Sequence, residues 1–154
     1  MTKIMKYQWA KHKDKFRECL AEAEGLDNYE YIDLVRLAFT VFFNADSDEL
    51  GLRVNTARIT QIDDGDYQGT LLFVIPFDTY QPEEREYLMT FVGYGSCSGC
   101  DTLLNLQATS DVIGKEDTLS GYMDLCKDII ANTIKPYNFG WRRDSAFEPA
   151  EEEL

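Results

Sequence analysis

Two cysteines three residues apart, Cys97 and Cys100, lie within the segment Tyr94-Gly95-Ser96-Cys97-Ser98-Gly99-Cys100-Asp101. A Cys-x-x-Cys pair can be half of a zinc site, but a closed site needs four ligands. No second close pair exists, so such a site would have to recruit Cys126 together with His12 or Cys19. The pair can also exchange disulfides. A thiol just before a helix has its thiolate stabilised by the helix dipole and nearby N–H groups, although Asp101 beside Cys100 opposes that charge. Third, Gly95, Ser96, Ser98 and Gly99 offer hydroxyls and backbone N–H groups to an anion or a peptide carboxylate. For that reading, Gly99→Val should abolish binding. The plainest alternative is a tight strand-to-helix turn, with Asp101 or Ser98 as the helix cap.

Other chemistry is sparse. His12 is the only histidine, and its place on a predicted helix face argues against a Ser-His-Asp set. Asp63, Asp64 and Asp66 do not keep the register of a calcium loop, and no Walker-A spacing occurs. The reading therefore assigns no catalytic residue, no metal ligand and no cofactor. It places a binding surface on Tyr94, Gly95, Ser96, Cys97, Ser98, Gly99, Cys100 and Asp101.

The formal charge of the 154-residue chain is −13. Residues 1–17 carry six basic side chains against Asp14, so the remainder holds nine basic and 27 acidic residues, a net of −18. Such a body repels phosphate backbones, which disfavours direct nucleic-acid binding. The same charge can serve solubility, or a carboxylate array can occupy the basic groove of a partner protein. No apolar run approaches the ~20 residues that span a bilayer, and the first residues lack a secretory h-region. Both features set a cytosolic expectation, with the four cysteines reduced.

The elements that must position the cysteine segment can be read from periodicity. Trp9, His12, Phe16, Cys19, Leu20 and Ala23 recur at steps of three and four, predicting a helix over 7–24 with Gly25 as its C-terminal cap. A second helix, 28–44, capped by Asp27 or Asn28, is apolar almost all round and so belongs in the core. Asn44 to Gly51 reads as an acidic loop. Strands are predicted over 54–62, 67–75 and 87–94. A turn at Asp63-Asp64-Gly65-Asp66 asks Gly65 for positive φ, and the run Leu71 to Ile75 implies burial on both faces. Short connections predict an antiparallel meander. Helices follow over about 101–109 and 117–134, ended by Lys135-Pro136. Tyr137-Asn138-Phe139-Gly140-Trp141 reads as an aromatic strap across the core or a partner patch. The sum is one α+β domain over 1–143, with about three strands and four helices, and an acidic tail over 144–154.

The run Tyr94-Gly95-Ser96-Cys97-Ser98-Gly99-Cys100-Asp101-Thr102-Leu103 resembles a signature of small uncharacterised bacteriophage and prophage proteins. Asp64-Gly65-Asp66-Tyr67-Gln68-Gly69-Thr70-Leu71-Leu72-Phe73, Asn132-Thr133-Ile134-Lys135-Pro136-Tyr137 and the acidic tail are similar to the same group, covering roughly residues 55–150. The resemblance carries no reaction. It implies an accessory protein in the host cytoplasm. The charge of −13, the scarcity of catalytic groups and the short cysteine loop set the further expectation that it binds, and inhibits, a host protein in takeover or anti-defence, with DNA mimicry by the acidic surface as one route.

Overall fold

The computed structural model describes residues 3–44, 53–66 and 68–134. The aromatic segment 137–141, the acidic tail, most of the expected 44–51 loop and the boundary near 143 lie outside the described residues.

Helix α1 (Lys3–Glu22) buries Met5, Gln8, His12, Phe16 and Leu20 along one face. It begins four residues before the expected start, because Met5 continues the stripe into the core at 2% exposure. Gly25 follows with φ 75°, a left-handed backbone that favours glycine. A 3-10 turn over Leu26–Asn28 then displaces the next helix, α2 (Tyr31–Phe43), three residues past its expected start. The cap is not Asp27 or Asn28. The cap is Glu30, and Asp33 reaches back to it, its carboxylate accepting from the Glu30 N–H at 2.8 Å. Helix α2 is central as predicted: Phe42 stacks on Trp9 at 5.2 Å and packs on Phe16 at 5.3 Å. Each such pair is worth about 0.5–1.5 kcal/mol beyond the area it buries.

The sheet is an antiparallel meander of β1 (Thr60–Asp63), β2 (Gly69–Pro76) and β3 (Tyr87–Tyr94), in that order. The expected strand over 54–62 is broken. Val54 makes an isolated bridge to Phe77, and a 3-10 turn occupies Thr56–Arg58. The Asn55 side chain accepts from the Ala57 N–H at 3.1 Å, and such local bonds compete with the ladder. Gly65 does not have positive φ. Its glycine is required because an added Cβ would lie 2.1 Å from the Gln68 carbonyl oxygen.

Register sorts the sheet's two faces. Leu71↔Val92, Phe73↔Thr90 and Ile75↔Leu88 form the inner face, all buried. Leu72 and Val74 are only half-buried, which corrects the expectation of burial on both faces. They lie on an outer face with Ile62 and Phe91, which are 48% and 45% exposed. Among the described residues the helices cover one face alone. Thr90 ties the sheet to α4 by donating to the Ile129 carbonyl at 2.6 Å.

Helices α3 (Thr102–Ile113) and α4 (Lys115–Ala131) are joined at Gly114, φ 92°. They approach closely at Gly121, where a Cβ would meet Leu106 Cδ2 at 2.3 Å. The fold is thus α+β: four helices and a three-stranded antiparallel sheet among the described residues. No helix among them is long and apolar enough to cross a membrane.

Candidate functional site

The site begins where β3 ends. After Tyr94 the chain makes a turn closed by the Cys100 N–H on the Cys97 carbonyl at 3.0 Å, and then enters α3. Asp101 is the cap, as one of the two sequence candidates; its Oδ1 accepts from the Leu104 N–H at 3.0 Å. The same carboxylate does two further things. Oδ1 accepts from the Tyr31 hydroxyl at 3.0 Å, and Oδ2 accepts from the Gly95 N–H at 2.8 Å. Tyr31 Oη in turn accepts from the Leu103 N–H at 3.2 Å. A single side chain, 5% exposed, therefore locks the end of β3 and the starts of α2 and α3 together.

That junction leaves a cavity of about 280 Å³. Its walls are Tyr29, Glu30 and Tyr31 at the entry to α2, Gln61 and Asp63 from β1, Leu71 from β2, Tyr94 from β3, and Asp101 with Leu103, Leu104 and Gln107 at the start of α3. The sheet register explains it. Gln61 and Asp63 pair with Phe73 and Leu71, so they lie on the inner face, but at its edge, beyond the helices that cover Phe73 and Ile75. The volume lies below the ~300–1,000 Å³ of drug-sized pockets and suits one side chain or a small ion.

The electrostatics of the walls are one-sided. Glu30, Asp63 and Asp101 are acidic, and among the described residues no lysine, arginine or histidine lines the cavity. The Tyr94 hydroxyl donates to Asp63 Oδ1 at 2.6 Å. With the Gly65 N–H, that bond holds the Asp63 carboxyl below the usual carboxylate range. The same bond pushes Tyr94 up to about 12. Burial first, and the neighbouring Asp101, raise the Tyr31 phenol well above its ordinary range. Tyr31 and Tyr94 stay neutral at physiological pH while Asp63 stays charged.

The cysteines point elsewhere. Ser96 through Cys100 are all exposed. Cys97 Sγ and Cys100 Sγ are 2.9 Å apart, and the Cys97 N–H donates to Cys100 Sγ at 3.2 Å. These two contacts, the thiol first, lower the Cys100 thiol below its ordinary range, with Ser96 adding to them. Asp101 turns its carboxylate toward α3, Tyr31 and Gly95 rather than toward this sulfur. Cys126 is fully buried, and burial pushes its thiol up. Cys19 is half-buried on α1. Among the described residues no three His, Cys, Asp or Glu side chains converge on a point that could hold a metal. The glycine that matters is Gly95, where a Cβ would lie 2.4 Å from the Cys100 carbonyl oxygen; at Gly99 the nearest atom is Cys97 Sγ at 3.9 Å.

Of the eight residues that the sequence singled out, Tyr94 and Asp101 line the cavity, Gly95 is bonded to it, and Ser96 to Cys100 stand outside. Sequence reasoning missed Tyr29, Glu30, Tyr31 and Gln61, and read Asp63 as a turn residue only. The pair Tyr29 and Tyr31 flanking Glu30 at a helix start was visible, but nothing in spacing connects it to residue 94. Compared with family models, curated proteins and solved structures, the chain finds a match in none of the three.

Proposed function

We propose that the protein acts by binding another protein, and that its tyrosine-walled cavity receives a cationic side chain of that partner. The carrying observation is the lining: Tyr29, Tyr31 and Tyr94 around the Asp63 carboxylate, with no basic group among the described residues. Aromatic faces attract ammonium and guanidinium groups by about 0.5–2 kcal/mol, and an ionised carboxylate at the rim adds charge-assisted hydrogen bonding. The net charge of −13 draws basic partners toward this surface at long range. The lone histidine, His12, is on α1 against Phe42 and is not among these walls. The likeness of residues 94–103 to phage proteins supports placing the partner in an infected cell. There the protein is an accessory factor that blocks a host protein, its carboxylates standing where nucleic-acid phosphates would bind.

Titration of the protein with argininamide, followed by NMR, tests the cavity. Shifts at Gln61, Tyr94 and Leu104 are expected with argininamide acetylated on its α-amine, and not with the equally acetylated citrullinamide, whose side chain is neutral. Equal responses to both compounds, or none to either, would remove the cationic reading. Capture of host proteins at low and high salt tests the wider reading. Charge-led capture fades with salt, whereas salt-insensitive capture would shift attention to the apolar outer face around Ile62 and Phe91.

A further inference from the structure

The exposed turn outside the cavity carries a second chemistry. Cys97 and Cys100 lie on one side of a turn that the 97–100 backbone bond closes, and their sulfurs are 2.9 Å apart. A disulfide needs about 2.05 Å, so bond formation requires only a small rotation of two exposed side chains. The sulfur nearer the helix accepts the Cys97 N–H and has the Ser96 hydroxyl at 3.9 Å. The two remaining cysteines are kept apart from this pair, one buried in α4 and one half-buried on α1.

We propose that Cys97 and Cys100 form a reversible thiol–disulfide exchange centre for small disulfides, with Cys100 as the attacking sulfur and Cys97 as the resolving one. In the first step the Cys100 thiolate bonds to one sulfur of a small-molecule disulfide, and the other sulfur leaves as a thiolate. In the second, Cys97 loses its proton to water and attacks Cys100 Sγ. The mixed disulfide breaks and the second thiolate departs. Two protein thiols have then lost two electrons and two protons, and the small disulfide has gained them as two thiols. The hydrogen bonds that converge on Cys100 favour its thiolate, the species that attacks. This centre is independent of the cation-binding reading, since neither sulfur lines the cavity.

Oxidised glutathione is the probe. The full chain is exposed to it, quenched in acid, alkylated and examined by intact mass and peptide mapping. Wild type is expected to lose two hydrogens through a Cys97–Cys100 disulfide, without accumulating an adduct, and to recover with reduced glutathione. Cys97→Ser should accumulate a glutathione adduct at Cys100, about tenfold above wild type, because nothing resolves it. Cys100→Ser should react about threefold more slowly or worse. Both substitutions are at exposed positions, and circular dichroism checks that the variants remain folded. A stable adduct on wild type, equal rates for the two variants, or a bridge to Cys19 would each overturn the proposal.

Discussion

Replacing Asp101 by alanine should destabilise the protein more than any other exposed-loop or cap substitution near the site. The carboxylate accepts three hydrogen bonds, from Leu104 N–H, Tyr31 Oη–H and Gly95 N–H. Loss of an N-cap costs about 1 kcal/mol. Loss of a hydrogen bond to a charged acceptor costs about 1.5–3 kcal/mol, and here Tyr31, 6% exposed, has little water to replace it. The contributions share one group and will not add fully, so about 3–5 kcal/mol is expected for Asp101→Ala. At roughly 2–4 °C per kcal/mol for a chain of this size, Tm should fall on the order of 10 °C. Asp101→Asn separates the parts. Its carbonyl oxygen can serve Leu104 and Tyr31, but its NH2 then faces the Gly95 N–H, donor against donor, and about half the loss should remain. Asp101→Ser should restore the cap alone. Urea unfolding at pH 7, followed by tryptophan fluorescence, supplies the numbers. If Asp101→Ala lies within 1 kcal/mol of wild type, or Asp101→Asn equals wild type, the three-way lock does not exist.

Gly95→Ala should cost about 1–3 kcal/mol by forcing a Cβ onto the Cys100 backbone, whereas Gly99→Ala should stay within about 0.5 kcal/mol in the same urea assay; comparable costs would contradict the turn geometry. The Asp63–Tyr94 bond carries a pH signature. Asp63 is lowered in the fold, so its contribution is present above the unfolded carboxylate range and is lost as pH falls through the folded value. Tyr94 is raised to about 12, so its contribution is present below the ordinary phenol range and is lost as pH rises through that value. Tyr94→Phe should return the Asp63 carboxyl toward its ordinary range in an NMR titration; an unchanged midpoint would refute the bond. Finally, Cys97 and Cys100 should label at once with a thiol reagent, while Cys126, fully buried in α4, should label only as fast as the protein unfolds. Rapid labelling of Cys126 would mean that α4 does not pack as described.

The elements that rest on local pattern were legible in the residues. Phe16 and Leu20 at helical spacing, the unbroken apolar run of α2, and strand β3 ending at the glycine of residue 95 each carry their own period or punctuation. What misled was competition between neighbours. Asn55 diverted its backbone from a ladder, Glu30 with Asp33 rather than Asp27 or Asn28 capped α2, and Gly65 was needed for a close backbone approach rather than for its φ. None of those choices shows in composition.

The sequence alone determined that an α+β body with a strongly acidic surface would present two cysteines on a turn before a helix. The order of residues along 94–103 is enough for that, since strand, turn and cap are local events. Only the tertiary structure decided that Tyr29, Tyr31, Gln61, Asp63 and Tyr94 face one hollow. Strand register put Gln61 and Asp63 on the inner face, and the Asp101 carboxylate pulled the start of α2 against the start of α3, a contact seventy residues apart in the chain. Proximity of that kind comes from packing, and no spacing rule encodes it.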